Sequence, residues 1–197
     1  VFTDQTHRDN IRVVTQADIG KGLTRPSDIY DTDGLMTNIP GIPLITFYAD
    51  CVPLFFLDKK NRAIAVVHSG WKGTVLKIGA KAVRQMAEVY GTKPEDCLAG
   101  IGPSIEMDCF EVGQEVAEQF AESFGNRPQI MKPLRKGKYA VDLWEANKLM
   151  LTDIGVPENN IAISGFCTKC NGELFFSYRR DRGMTGSMSA IMELCAI

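Results

Sequence analysis

The sequence predicts a mixed α/β fold whose sheet is partly antiparallel, and three observations support this fold class. Two apolar, β-rich runs at residues 43–57 and 63–68 flank a short polar turn, which is the pattern of an antiparallel hairpin. Apolar residues then recur at helical spacing over residues 71–90 and 112–124. Strand-like and helical segments alternate along the rest of the chain, and the antiparallel pair argues against a purely parallel doubly wound sheet.

Local signals predict the remaining elements. Residues 20–33 are rich in Gly, Asp, Pro and Thr and predict a long loop. Asp142 with Glu145 three residues later resembles a capping box and predicts a helix that ends at Gly155. The other predicted strands are residues 11–14, 97–101, 161–166, 174–178 and 188–194.

Composition and charge exclude several classes of protein. Apolar residues make up 45% of the 197 residues, enough for a substantial core, and the formal net charge of −2 provides no basic face for duplex nucleic acid. No apolar run is long enough to cross a bilayer. We therefore expect a cytoplasmic protein that binds neither nucleic acid nor a membrane.

The six cysteines are predicted to be free thiols or metal ligands, because the chain is long, rich in core residues and shows no secretory signal. Cys167 and Cys170 form a Cys-x-x-Cys pair that could be half of a zinc knuckle. No second pair of this spacing exists to complete it, so we expect no functional metal there.

The predicted hairpin brings a thiol and an imidazole together. If Asp58 faces Asn61 across the turn, the same register places Cys51 directly opposite His68, with Cβ atoms roughly 5 Å apart. A thiolate and an imidazole at that spacing could share one zinc ion. The alternative is a buried cysteine beside a core histidine whose hydrogen bonds are satisfied.

The chain has only one other histidine, His7, which lies in a polar segment and could equally be a surface residue. As the only remaining imidazole it is the natural third ligand. Three protein ligands with a fourth position open to water are typical of catalytic zinc, whereas structural zinc has four protein ligands.

Six short motifs follow one another along the chain: QTH at 5–7, ADCVP at 49–53, VHSGWKG at 67–73, IGPSI at 101–105, CFEVG at 109–113 and FFSYRRD at 175–181. In this order they resemble the YfiH-like laccase-domain family over about residues 4–194. Members of that family are described as polyphenol oxidases and as purine nucleoside phosphorylases with adenosine deaminase activity. The resemblance implies a layered α/β/β/α sandwich and a monomer. It also implies one catalytic domain over residues 1–197, without the N-terminal segment that the family carries before the first motif.

The resemblance also assigns metal ligands. The family's ligands fall on His7, Cys51 and His68, the same three residues, with zinc as the expected metal and copper as the alternative. Many members carry Gly-Arg-Met where this chain has Gly-Ser-Met at 186–188, so the family's arginine is replaced here by Ser187.

The function implied is a zinc-dependent purine nucleoside phosphorylase. It would act on adenosine, inosine, guanosine and methylthioadenosine with inorganic phosphate, and would also deaminate adenosine. Arg179 and Arg180 are the predicted phosphate ligands, because guanidinium binds phosphate bidentately; a pair of surface arginines is the alternative. Asp50, beside the cysteine ligand, is the candidate acid or base, or a partner of the ligands. Cys109 is predicted to line the substrate pocket, or else to be a buried thiol.

Three other functions remain open from the sequence. A copper phenol oxidase would use the same pocket, although two histidines are too few for several coppers. A Cys–His hydrolase would use Cys51 as nucleophile and His68 as base. A binding module would use the metal only structurally.

Overall fold

Residues 1–195 are described by a computed structural model, in which they form eleven strands and four α-helices. The strands are β1 (Ile11–Val13), β2 (Gly34–Thr37), β3 (Leu44–Tyr48), β4 (Val52–Asp58), β5 (Ala63–Ser69), β6 (Cys97–Ile101), β7 (Glu111–Gly113), β8 (Met131–Pro133), β9 (Lys138–Val141), β10 (Ile161–Ile163) and β11 (Met188–Met192). The helices are α1 (Trp71–Val75), α2 (Ile78–Tyr90), α3 (Gln114–Phe124) and α4 (Leu143–Asp153), and short 3₁₀ helices lie at Gln16–Asp18, Pro94–Asp96, Met107–Cys109 and Glu158–Asn160.

The central sheet is mixed. Its six strands have the order β1-β2-β5-β4-β6-β10; β1 with β2 and β6 with β10 are parallel pairs, and the other neighbours are antiparallel. Strands β3 and β11 form a second, antiparallel sheet, and β7, β9 and β8 form a third. The mixed, partly antiparallel α/β fold predicted from the sequence is confirmed.

The two faces of the central sheet pack against different layers. Leu54 and Phe56 point to one face, where they join a core cluster with apolar residues of all four helices. Leu35 and Val66 point to the other face and pack against β3 and β11. Within residues 1–195 no α-helix covers the outer face of the β3–β11 sheet, where Ile191 is exposed. The described residues thus form the α, β and β layers of the expected sandwich.

The hairpin between β4 and β5 is confirmed, but its predicted register is wrong. Asp58 pairs with Ala63 and Pro53 pairs with His68, so His68 does not face Cys51 directly. Cys51 lies just before β4, two residues before Pro53, the partner of His68. The observed register differs from the predicted one by two residues, which preserves the faces of both strands because side chains alternate with a period of two.

A wider turn explains the register. The Asp58 carboxylate accepts hydrogen bonds from the backbone N–H groups of Lys60 (2.8 Å) and Asn61 (3.0 Å), and Arg62 takes a left-handed φ of 53°. Asp58 therefore ends its strand opposite Ala63, and four residues form the loop instead of the two that the prediction used.

Several predicted elements are divided or absent. The run 43–57 is two strands separated by bends at 49–51, where Asp50 has φ 85°. The helical stripe 71–90 is interrupted at Lys77, whose φ of 58° separates α1 from α2. Residues 174–178 are not a strand, because the N–H groups of Leu174 and Phe175 bond to Asn171 in a local turn instead of a neighbouring strand.

Other predictions agree with the structure. Asp142 caps α4 by accepting the Glu145 N–H at 3.0 Å, and the chain turns at Gly155 with φ 102°. Residues 97–101 form β6 as predicted. Within the described part of the chain, no helix combines the length and apolarity that crossing a bilayer requires.

Candidate active site

Three segments distant in sequence bring the predicted ligands together. His7 lies in the loop before β1, Cys51 in the bend between β3 and β4, and His68 near the end of β5. Their ligand atoms all lie within 4.8 Å of one another, and the two imidazole rings meet edge to face with centroids 4.8 Å apart. We call these residues the His–Cys–His cluster. Its donor set, one sulfur and two nitrogens, suits a zinc or copper ion.

Gly70 makes the close approach of these side chains possible. A Cβ atom at this position would lie 3.0 Å from Cys51 Sγ and 3.0 Å from His7 Cδ2. Since Gly70 also precedes the first residue of α1, the glycine lets the strand-to-helix connection pass directly beside the cluster.

Asp33 orients both histidines, and the sequence reasoning missed it. Its carboxylate is fully buried, lies 2.7 Å from His68 Nδ1, and accepts the backbone N–H groups of His7 (3.0 Å) and Arg8 (2.9 Å). With Nδ1 engaged, Nε2 of His68 is the nitrogen left for a metal, the arrangement that metal-binding histidines commonly show. In the sequence Asp33 is one of several aspartates in a long loop, and no local signal separates it from Asp31.

The cluster is electrostatically coupled. Burial opposes ionisation of Cys51, but His68 and His7 outweigh burial and lower the pKa of the thiol to about 6. Burial likewise opposes the charge on His68, but Cys51 and Asp33 outweigh it and raise the pKa of the imidazole to about 9. Without a metal, the pair is a thiolate beside an imidazolium at neutral pH, and the thiolate is the form that binds metals.

A cavity of about 770 Å³ opens over the cluster, within the size range of small-molecule sites. Its wall includes all three residues of the cluster, the aromatic side chains of Trp71 and Tyr178, and a cationic side chain, Arg179. Metal donors, aromatic surface and a cation therefore face one space.

Asp50 lines this cavity, and its side chain holds two other segments in place. Its carboxylate accepts the Thr168 hydroxyl at 2.6 Å and the Arg179 backbone N–H at 2.7 Å. Both oxygens are thus engaged, and the bend at Asp50 is bonded to the two loops that contain Thr168 and Arg179. This geometry favours a positioning role over proton transfer.

The structure separates the two candidate arginines. Arg179 lines the cavity; its guanidinium lies 5.3 Å from the centroid of the Phe110 ring and donates to the Glu111 carbonyl at 3.0 Å. Arg180 is not among the lining residues. It pairs with Asp181 and donates to the carbonyls of Thr168 (3.2 Å) and Phe175 (3.1 Å), which stabilises the loop.

Cys109 also lies outside the cavity lining. Its thiol is 3.4 Å from the thiol of Cys170 and 3.6 Å from the Glu106 carboxylate. Ser187, at the position where many members of the resembled family carry arginine, does line the cavity.

Known proteins are similar to this chain over most of its length. A family model described as "Multi-copper polyphenol oxidoreductase laccase" matches residues 1–195. The chain is 40% identical over 193 residues to a protein of Bacillus subtilis named purine nucleoside phosphorylase YlmD. This match covers 98% of this chain and 69% of that relative. It is 39% identical over 182 residues to a purine nucleoside phosphorylase of Bacteroides thetaiotaomicron, covering 91% of this chain and 67% of that relative.

Solved structures show the same fold. YlmD from Geobacillus stearothermophilus superposes with a TM-score of 0.94 at 34% identity, covering 99% of this chain and 74% of that one. A Bacillus licheniformis protein described as hypothetical protein YfiH superposes with a TM-score of 0.93 at 37% identity, covering 98% of this chain and 73% of that one.

Proposed function

Since the chain belongs to the multi-copper polyphenol oxidoreductase laccase family, within which its relatives are named purine nucleoside phosphorylases, we propose that it is a zinc-dependent purine nucleoside phosphorylase. One observation carries the proposal. The His–Cys–His cluster and Arg179 face the same cavity of about 770 Å³, so a metal and a phosphate-binding cation would act on one substrate.

The ligands of the proposed metal are His7, Cys51 and His68. Three protein donors that line a cavity would leave a fourth position for substrate or water, as in catalytic zinc sites. When bound, zinc supplies Lewis-acid polarisation of a substrate atom or of a water molecule. The residues of the chain orient this site: Asp33 fixes His68 and the backbone of His7, and Gly70 leaves room for all three side chains.

Arg179 is the proposed phosphate ligand. A guanidinium has five N–H donors. Among residues 1–195, Arg179 donates to main-chain carbonyls only through Nη1, to those of Cys109 and Glu111. Donors therefore remain to bind a phosphate oxygen, and the Phe110 ring beneath the guanidinium limits its orientation. Asp50 fixes the backbone N–H of the same residue, so the position of Arg179 depends on Asp50.

The proposed reaction is phosphorolysis. An oxygen of inorganic phosphate forms a bond to C1′ of the nucleoside as the bond between C1′ and N9 of the base breaks, and the base leaves with a proton. The aromatic side chains of Trp71 and Tyr178 offer surfaces on which a purine could stack. Adenosine, inosine and guanosine are the proposed substrates, with methylthioadenosine as a further one.

The proposal includes deamination of adenosine at the same cluster. In that reaction water adds to C6 of the purine and ammonia leaves, which yields inosine. It requires an activated water beside the base and no phosphate, so the two activities are distinguishable in one assay.

Two alternatives use the same residues. A copper oxidase of phenols would bind its metal at the His–Cys–His cluster, but the chain has only two histidines and so cannot build a multi-copper centre rich in imidazole. A thiol hydrolase would use the Cys51 thiolate as nucleophile beside the His68 imidazolium, an ion pair that the shifted pKa values favour in the metal-free protein.

The deciding experiment is product analysis of zinc-loaded protein incubated with adenosine or inosine, with and without phosphate. We expect free base and ribose 1-phosphate only when phosphate is present, and inosine from adenosine in its absence. Turnover should disappear after chelation and return with zinc. Turnover of a thioester or ester by metal-free protein, with no nucleoside products under any condition, would instead support the hydrolase.

A further inference from the structure

A second group of four metal-type donors lies outside the cavity. Its members are Glu106, Cys109, Cys167 and Cys170, and their ligand atoms lie within 4.8 Å of one another. None of the four is among the residues that line the cavity over the His–Cys–His cluster. We call them the Cys–Glu cluster.

The spacing of these donors suits a tetrahedral ion. Two sulfurs bound tetrahedrally to one zinc at about 2.3 Å lie about 3.8 Å apart, and a sulfur and an oxygen about 3.5 Å apart. The Cys109 and Cys170 sulfurs are 3.4 Å apart, and the Glu106 carboxylate oxygen is 3.2 Å from Cys170 Sγ and 3.6 Å from Cys109 Sγ. All three cysteines are free thiols.

The fold brings the donors from two segments that backbone hydrogen bonds already join. Glu106 immediately precedes the 3₁₀ helix before β7, and Cys109 ends that helix. Cys167 and Cys170 lie in the loop after β10. Ser104 pairs with this loop: it donates its N–H to Phe166 O at 3.2 Å, and its own carbonyl accepts the Thr168 N–H at 3.1 Å.

We propose that the Cys–Glu cluster is a second metal site, which binds one zinc-class divalent cation through three thiolates and one carboxylate. Four protein ligands leave no open position, which is the pattern of a structural ion and not of a catalytic one. Binding releases the thiol protons, because only thiolates coordinate the metal. Lys169, between Cys167 and Cys170 in the sequence, supplies a positive charge next to this anionic donor set.

The bound ion stabilises the wall of the active-site cavity without touching it. Thr168, between two ligands, donates its hydroxyl to Asp50, and the Cys109 carbonyl accepts from the Arg179 guanidinium at 3.4 Å. The ion thus connects the loop that positions Asp50 to the segment that supports Arg179. This inference does not depend on the proposed phosphorylase activity, since it concerns a different set of ligands.

Metal stoichiometry tests the proposal. Plasma spectrometry measures the zinc content of reduced protein that has been equilibrated with Zn²⁺ and freed of unbound metal. The proteins compared are wild type, Cys170→Ser, Cys167→Ser, His68→Ala and Cys195→Ser. We expect Cys170→Ser and Cys167→Ser each to hold one equivalent less than wild type. Cys195→Ser, an exposed thiol outside both clusters, is the matched control and should hold the wild-type amount.

Cobalt substitution identifies the ligands directly. In the His68→Ala protein, Co²⁺ should still produce the strong near-ultraviolet thiolate-to-metal charge-transfer band of a site with three sulfurs, and adding Cys170→Ser should abolish most of it. The proposal is overturned if wild type, Cys170→Ser and Cys167→Ser hold equal zinc, or if the band survives unchanged in the double variant. Cys170 is exposed, so its substitution tests the site without disturbing the core.

Discussion

The two donor clusters use similar side chains in opposite surroundings. The His–Cys–His cluster has three donors, faces a cavity and is oriented by a buried carboxylate, Asp33. The Cys–Glu cluster has four donors, does not line the cavity, and joins two loops. Ligand number and position relative to the cavity, more than ligand type, therefore distinguish a site suited to chemistry from one suited to structure.

The largest expected difference is between removing one thiol from each cluster. Cys51→Ala should lower kcat/KM for nucleoside phosphorolysis by more than about 10²-fold, because even changes to partners of metal ligands cost about 10–100-fold. Its thermal midpoint should also fall, because loss of the bound zinc removes the stabilisation that zinc binding gives the folded state. Steady-state kinetics and thermal denaturation of zinc-loaded protein measure the two effects.

Cys170→Ser should lower stability more than it lowers activity. Zinc at about 100 times its Kd stabilises a protein by about 2.7 kcal/mol, and each kcal/mol shifts the midpoint of a domain of this size by about 2–4 °C. We therefore expect a midpoint roughly 5–10 °C lower and a smaller activity loss than in Cys51→Ala. Equal activity losses in the two variants, with equal midpoints, would remove the distinction between the clusters.

The next effect concerns orientation of the ligands. Asp33→Asn removes the charge beside His68 and should weaken zinc binding by about 10–100-fold while all three ligands remain. Competition with a chromophoric chelator measures the affinity. Asp9→Asn is the control, because Asp9 pairs with Lys81 at 3.0 Å and does not contact the cluster. Wild-type affinity in Asp33→Asn would mean that the fold alone orients the histidine.

The arginines give a matched pair within one loop. Arg179→Ala should raise the KM for phosphate by about 10–100-fold, since a hydrogen bond to a charged group contributes about 1.5–3 kcal/mol and about 1.4 kcal/mol corresponds to tenfold. Arg180→Ala should instead lower the thermal midpoint, because it loses two carbonyl contacts and the ion pair with Asp181. An unchanged phosphate KM in Arg179→Ala would show that this cation does not bind phosphate.

The smallest expected effect tests the packing of the His–Cys–His cluster. Gly70→Ala adds a Cβ 3.0 Å from Cys51 Sγ, so the ligands must shift by a few tenths of an ångström, and zinc affinity should fall by about tenfold. Gly100→Ala in β6 is the control, because its Cβ would meet only Phe55, at an ordinary 3.6 Å. Metal titration of Gly70→Ala and Gly100→Ala measures the zinc affinity of each variant. Equal affinities would contradict the steric role of Gly70.

The hairpin illustrates how far sequence patterns reach. The two apolar runs and the polar turn between them were enough to predict an antiparallel pair, and the pairing faces were also correct. The predicted register is wrong, because the register depends on how the Asp58 side chain bonds to the turn. An aspartate before a polar turn fits more than one loop length. Local pattern also does not predict the left-handed conformations of Lys77 and Asp50. Each of them divides a segment that the sequence predicts as one continuous helix or strand.

Residue type and local pattern are enough to predict the mixed fold class, the family through its six ordered motifs, and His7, Cys51 and His68 as candidate ligands. The packed layers are needed to show that Asp33 contacts His68, that Arg179 and not Arg180 lines the cavity, and that Cys109 and Glu106 lie beside Cys167 and Cys170. Each of these relations either joins residues 35 to 64 positions apart or depends on the direction of one side chain. Such contacts arise when layers pack, and no local pattern records them.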